Sequence, residues 1–397
     1  GGGGLVASEQ VSDRLRSVFV PSGTRIAKEY VPYQCWHVLQ DVQTQLRATL
    51  ATTAVFSGLG LGGGNKATTA AAATAVFLSR DLCASVTSLL AASALAPRVS
   101  GDARRWRFLG DVSVDVALLL ELLSSRGGPA LPWLLCVAAA LKAFCGVSAG
   151  GANAAIAAYF ARSTTNNDFG EVSAKSNAVT TVSGLVGLAL SLTATSLVSF
   201  IPDRSKRLAS ALAYAFLTAG HLLACERGLR LVALDGIGCF RRFDALYRTF
   251  SRTATVPSTV QFARQDRVAG LPLRLRRRRG VVVVSRPSQC LQNDDEALDR
   301  FVAQQYALAP WPPLSDDTTK TTKRAVGVAF AAGCDARTER RALAHAIDLS
   351  ERRDDWHDVA SFRAARSDTE PEGTDAFDAA LSAAGFDLAA RILPPDL

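Results

Sequence analysis

The fold turns on 178-AVTTVSGLVGLALSLTATSLVSFI-201, which runs from Ala178 to Ile201 without a charged side chain. A helix rises 1.5 Å per residue, so about 20 mostly apolar residues cross the hydrocarbon core of a bilayer. This stretch meets that length. Downstream, Asp203-Arg204-Ser205-Lys206-Arg207 is a charged turn, and Leu208–Cys225 is a second apolar run interrupted only by His221. Together the two runs predict a helical hairpin. Upstream, charges nearly vanish over 50–65, 67–79, 82–97, 127–141 and 143–161, shorter runs rich in alanine, glycine, serine and threonine. Small residues let helices approach closely in lipid, and Gly146-Val147-Ser148-Ala149-Gly150 is a GxxxG match, weak in so small-residue-rich a segment. A soluble bundle with alanine-packed buried helices is the competing reading.

Before these runs, Pro32 opens a segment with apolar residues at Trp36, Leu39, Val42, Leu46 and Leu50. That spacing predicts an amphipathic helix with those residues on its packed face.

Charge divides the chain. Residues 281–397 carry 13 basic and 20 acidic side chains, a net −7, and the whole chain carries +8, which leaves +15 for residues 1–280. Nucleic-acid modules interleave basic residues with exposed aromatics, whereas here the basic residues cluster between apolar stretches, as beside a membrane surface. No nucleic-acid partner is expected. Arg274 and Arg276–Arg279 read as a lipid-facing basic patch. With 48% hydrophobic residues and a mean hydropathy of +0.15, a membrane is the leading environment.

The tail predicts strands at Val281–Val284 and Ala325–Ala332. Helices are predicted at Glu296–Leu308, Arg337–Ser350 and Asp375–Ala384, and Pro310, Pro312 and Pro313 break the chain between them. The chain opens on four glycines and contains no methionine, so its natural start is expected upstream.

Catalytic signatures fail on inspection. Gly58-Leu59-Gly60-Leu61-Gly62-Gly63-Gly64-Asn65-Lys66 lacks the Gly-Lys-Ser/Thr of a phosphate loop and the preceding strand of a dinucleotide fingerprint, so it reads as a helix-breaking turn. The eight cysteines form no CxxC pair, and His37, His221, His345 and His357 show no paired spacing. No catalytic residue, metal site or cofactor is expected. A Schiff-base lysine for pyridoxal phosphate needs a phosphate cradle, and neither Lys66 nor Lys175 has one.

The constellation that remains is charge embedded among apolar residues. Arg107, Asp111 and Asp115 fall at i, i+4 and i+8, on one helical face that continues into Leu118 and Leu122, while Arg80-Asp81 and Lys142 interrupt neighbouring apolar runs. Arg80 or Lys142 is the expected partner of the two aspartates. In lipid such charges pair or face a cavity, so they form either a salt-bridge ladder or a polar site for a solute, proton or ligand.

Several motifs in order resemble the root UVB sensitive (RUS) family. Phe19-Val20-Pro21-Ser22-Gly23 and Glu29-Tyr30-Val31-Pro32-Tyr33-Gln34-Cys35-Trp36 are similar to its opening signature, with Glu29 and His37 where aspartates are usual. Arg80-Asp81, Trp106-Arg107, Asp111, Asp115, Glu121-Leu122-Leu123, Gly146-Val147 through Tyr159-Phe160-Ala161, and Glu171-Val172-Ser173-Ala174-Lys175 follow in register. His221, Arg230 and Arg241 fall at later landmarks. Leu82, Asn153 and Tyr159 depart from the pattern. The resemblance implies a non-enzymatic, membrane-associated, plastid-linked protein connected with UV-B responses and vitamin B6 homeostasis, pairing with a second family member.

The expectation is therefore a mainly α protein, a membrane-associated helical bundle followed by a small acidic α/β C-terminal domain. Its parts are a flexible fragment at 1–18, a RUS-type hydrophobic helical domain at 19–245, a basic linker at 246–285 and the C-terminal domain at 286–397. It acts by binding, scaffolding or signalling, or else as a small-solute transporter. The candidate functional cluster is Arg80, Asp81, Arg107, Asp111, Asp115, Lys142 and Lys175. Its partners are a lipid membrane, a small-molecule ligand and a second RUS-family protein.

Overall fold

The computed structural model describes residues 18–21, 28–60, 70–124, 128, 130–162, 164, 168–199, 203–266, 268, 281–283, 304–311, 325–331, 334–351 and 374–389. The fold is mainly α. It divides into two compact units, one of residues 1–234 with 263–272 and one of residues 235–262 with 273–397.

The first unit is a bundle of long helices: α1 (Tyr30–Gly58), α2 (Ala70–Val99), α3 (Ala103–Leu123), α4 (Leu131–Ala161), α5 (Phe169–Ser199) and α6 (Asp203–Arg230). Local chemistry sets their ends. Pro132 stands in the first turn of α4, where its missing N–H costs nothing. Asp168 caps α5, its Oδ1 accepting from the Glu171 N–H at 2.9 Å, and Glu171 adds a second carboxylate to the positive end of that helix.

Four helical segments are long and apolar enough to cross a membrane, Ala71–Leu95, Leu131–Ala161, Phe169–Ser196 and Leu208–Arg230. Residues 178–199 of the run thus belong to a helix that begins at Phe169. The hairpin expectation changes in one respect. α5 and α6 each pack along α1, which lies between them, and α4 packs against α2 and α3.

The α1 stripe is only half-buried at Trp36, Val42, Leu46 and Leu50, and the deepest positions are polar. Gln40 and Arg47 are buried whereas Leu39 is 41% exposed. The polar side chains are drawn inward because their partners lie on α3 and α6. Close helix approach occurs at Gly110 of α3, where a Cβ would lie 2.9 Å from Ser148 Oγ and 3.3 Å from Ala149 Cβ of α4. Gly146 and Gly150 of the GxxxG match face open space.

The second unit holds α7 (Phe240–Thr253), the part of α8 (Thr259–Gln265) up to Phe262, β1 (Val281–Val283), β2 (Tyr306–Trp311), β3 (Ala325–Phe330), α9 (Ala336–Glu351) and α10 (Thr374–Ala383). The sheet order is β1-β3-β2, with β1 parallel and β2 antiparallel to β3. Two expectations are corrected here. Tyr306–Leu308, read as the end of a helix from Glu296, is strand, since its alternate residues Tyr306 and Leu308 are buried. Pro310 then sits in an edge strand, where a missing donor is tolerated. Residues 240–253 and 259–262, divided in sequence between the hydrophobic domain and a linker, are helical and belong to this unit. Phe243, Leu246 and Tyr247 are buried with Val326, Val328, Leu343 and Phe377 in one core.

Tyr247 donates to Asp348 Oδ2 at 2.6 Å, and burial first, then that carboxylate, pushes its phenol well above the ordinary value. The expected flexible fragment at 1–17, the arginine run at 274–279 and the predicted helix over 296–303 lie outside the described residues.

Candidate functional site

The four-residue spacing on α3 aims Arg107, Asp111 and Asp115 into the bundle, in line with the buried Leu118. Asp115 is the node. Its Oδ1 accepts from Arg47 Nη1 of α1, its Oδ2 lies 3.1 Å from His221 Nδ1 of α6, and its backbone carbonyl accepts from the Tyr214 hydroxyl. Arg47 is fully buried and its other donors are also engaged, with Gln43 O at 3.2 Å, Thr44 Oγ1 at 3.2 Å and Thr218 Oγ1 at 3.3 Å. One carboxylate therefore ties three helices together.

One turn away, Asp111 Oδ1 accepts from Arg107 Nη1 at 2.7 Å, and its Oδ2 accepts from the Cys225 thiol at 2.8 Å. Cys225 follows His221 by four residues, so α6 presents both to α3 on one face. A further layer joins α1 to α5, where Asp41 lies 3.3 Å from His37 Nδ1 and accepts from Ser183 Oγ at 2.6 Å. Burial of ions is tolerable only when each is paired and hydrogen-bonded, and the groups around Asp111 and Asp115 meet that requirement.

The other sequence candidates fall elsewhere. Lys142 of α4 grips both oxygens of Glu121 of α3 at 2.6 Å, so it is not the partner of Asp111 or Asp115. Lys175 pairs with Glu171 at 2.9 Å within α5 and donates to Val20 O at 2.7 Å. Arg80 stands over the Phe77 ring of its own helix at 5.9 Å, and Asp81 is exposed. The expected pairing of Arg80 with the aspartates is thus replaced by Arg47 and His221.

Sequence reasoning passed over Arg47, Glu121, Asp41 and Cys225 as site residues. Arg47 did leave a signal. Tyr33, Gln40 and Arg47 recur every seven residues, marking a polar seam on α1 beside its apolar stripe. His221, the single ionisable interruption of an apolar run, was another.

The second feature of this unit is a cleft of about 230 Å³ where α1 and α5 begin and α4 ends. Tyr30, Tyr33, Phe160 and Phe169 supply aromatic surface, with Tyr30 edge-on to Phe160 at 5.1 Å and Tyr33 tilted against it at 5.4 Å. Gln34, Asn153, Ser173, Ser176 and Asn177 supply amides and hydroxyls. Among the described residues no cluster of histidine, cysteine, aspartate or glutamate could hold a metal ion.

The described side chains of the bundle distribute against the usual rule. Phe216, Trp133 and Leu89 are 79%, 76% and 73% exposed, while Arg47, Asp111, Asp115, Glu121 and His221 are buried. This defines a helical bundle with ion pairs in its interior and apolar side chains on its exterior, compatible with a membrane location. Residues 6–254 match the family described as the vitamin B6 photo-protection and homoeostasis domain, and the chain belongs to that family, the root UVB sensitive or RUS family.

The chain is similar to the Arabidopsis thaliana protein root UVB sensitive 3, 28% identical over 262 residues, which are 66% of this chain and 57% of that one. It is also similar to the Dictyostelium discoideum RUS family member 1, 26% identical over 258 residues, 64% of this chain and 47% of that one. The chain therefore spans about half the length of these relatives. No solved structure matches it.

Proposed function

We propose that this chain is a membrane-embedded RUS protein that works by binding rather than by covalent catalysis, in the handling of vitamin B6. The observation that supports it is the inverted polarity of the bundle. Leu185, Leu192, Leu208, Leu212 and Phe216 stand exposed along α5 and α6, and leaving so much apolar surface in water is unfavourable by about 25 cal/mol per Å². In lipid the same surface is at no disadvantage, and the paired charges are kept from it. The membrane is that of a plastid where the source is photosynthetic, and a second RUS-family protein is the partner.

Alkaline carbonate extraction of membranes holding the full chain tests the embedding. Retention in the pellet is expected, and quantitative release to the supernatant would refute it. A vitamin B6 role is tested by complementing a RUS null strain with Asp111→Asn and Asp115→Asn. At least one amide variant should accumulate normally and fail to complement.

A second reading, a small-solute transporter, is favoured by one feature. Arg47, Asp115 and His221 join three helices through ionisable groups in the bundle interior, as transport pathways do. Solute flux in proteoliposomes separates the two readings.

A further inference from the structure

We infer that the cleft between the first turns of α1 and α5 and the last turns of α4 is a binding site for an unphosphorylated, single-ring heteroaromatic alcohol. The inference rests on the proposed role in vitamin B6 handling and is independent of membrane embedding, and the residues that line this one cleft carry it. Size comes first. At about 230 Å³ the cleft falls below the roughly 300–1,000 Å³ of drug-sized sites, so it takes one ring with short substituents.

Shape and polarity come next. Phe169 is 45% exposed, and together with Tyr30, Tyr33 and Phe160 it offers ring faces and edges against which a flat heteroaromatic packs. Around them stand short neutral hydrogen-bonding groups, the hydroxyls of Ser173 and Ser176 and the amides of Asn153 and Asn177. Gln34 is only 7% exposed and donates its amide nitrogen to Ser176 Oγ at 3.2 Å, yet its Oε1 has no hydrogen-bond partner. A buried amide oxygen left unpaired is costly, and a hydroxyl or ring N–H donor of a ligand satisfies it.

Charge decides against a phosphate. The start of α5 borders the cleft, and a helix N-terminus ordinarily attracts anions. Here that end is already occupied, because Asp168 caps it at 2.9 Å and Glu171 stands in its first turn, paired with Lys175. A phosphate monoester beside Phe169 and Ser173 would lie next to a helix end that Asp168 already caps and whose first turn carries Glu171. The His37 imidazole, which also lines the cleft, has the Asp41 carboxylate 3.3 Å from its Nδ1. The cleft thus selects the alcohol over its phosphate ester.

The test uses the full chain in detergent with pyridoxine and pyridoxine 5′-phosphate as probes. The pair shares one ring, differs by the ester and lacks the aldehyde that would react with lysines. By equilibrium dialysis pyridoxine should bind saturably to one site, and its phosphate at least about tenfold more weakly. Two variants at exposed lining positions locate the site without touching the core. Asn177→Trp fills the cleft and should abolish pyridoxine binding with the melting temperature unchanged. Asn153→Arg adds a cation and should narrow or reverse the preference.

Absence of saturable pyridoxine binding to folded protein would overturn the inference. So would phosphate binding as tight as the alcohol, or binding indifferent to Asn177→Trp. Any of these leaves the embedding, judged by carbonate extraction, untouched.

Discussion

Replacing Arg47 by methionine removes the one guanidinium that faces Asp115 while keeping an unbranched apolar side chain in its place. The Asp115 side chain is 6% exposed and would retain only His221 at 3.1 Å and its backbone bond to Tyr214. Breaking a buried pair from one side costs about 3–5 kcal/mol, because the remaining charge is left uncompensated. For a bundle of this size each kcal/mol lowers the melting temperature by about 2–4 °C, so a drop on the order of 10 °C is expected. Asp115→Asn removes the counter-charge of Arg47 but keeps an oxygen that accepts from it, so its loss should be smaller.

The double variant strands neither group, so its loss should fall short of the two single losses added together by about 1–3 kcal/mol. Thermal unfolding of the detergent-solubilised full chain, followed by monodisperse recovery on gel filtration, measures all four corners of the cycle. Strict additivity within about 0.5 kcal/mol would mean that the pair contributes no coupling, and would refute Asp115 as the node of the bundle.

Further outcomes are expected elsewhere in the chain. Gly110→Leu should reduce folded yield sharply, since its Cβ alone would meet Ser148 Oγ at 2.9 Å, whereas Gly146→Leu, facing open space, should not; recovery of each by gel filtration compares them. Arg340→Met should cost about 1.5–3 kcal/mol in urea unfolding, because it removes a two-pronged bond to Asp378 at 2.8 Å and a third to Leu388 O at 2.6 Å. Asp335→Ala should cost about 1 kcal/mol at pH 7 by uncapping α9, whose Thr338 N–H lies 2.7 Å from Asp335 Oδ1. The Asp335 carboxyl is held below its ordinary 3.8, first by that backbone N–H, so its stabilisation is present above about pH 4. Below that pH it fades, and melting curves of wild type and variant should converge. A fragment of 286–397 should give no cooperative unfolding by circular dichroism whereas one of 235–397 does, because α7, α8 and β1 supply Phe243, Leu246, Tyr247, Phe262 and Val281 to its core.

Much of the bundle was legible because continuous apolar runs report helix length directly, and the spacing of Arg107, Asp111 and Asp115 fixed their common face. The partners were less legible. Side-chain period tells which residues share a face of one helix, but the facing helix is a matter of tertiary packing, and Arg47 lies 68 residues from Asp115. The α1 stripe was legible only in part, since Trp36, Val42, Leu46 and Leu50 are half-buried and Leu39 is exposed. An apolar face predicts burial only where water is the alternative, and here α1 turns Gln40 and Arg47 toward its neighbours while Leu39 stays exposed. In the second unit, Val281–Val283, Ala325–Phe330 and the two later helices followed their patterns. Tyr306–Trp311 did not, because a short apolar run before prolines fits a helix end and an edge strand equally well until its pairing with β3 is seen.

The division between the units carries a physical consequence for the family itself. Its matched segment ends at residue 254, one residue past the end of α7, yet the contacts of the chain break at 234–235. The segment thus includes a helix whose apolar face is not buried in the bundle. Phe243 is fully buried and stacks parallel to Tyr247 with ring centroids 6.0 Å apart, and both meet Phe377 of α10 edge-on at 5.8 and 5.2 Å. Burying each such side chain stabilises by roughly 1.5–3 kcal/mol, so α7 alone contributes a sum comparable with the 5–15 kcal/mol net stability of a small domain. A chain cut at 254 would leave that face in water and deprive the sheet unit of its aromatic layer. α7 therefore makes the folding of the second unit depend on the end of the family segment, which charge and hydropathy alone assign to the hydrophobic part.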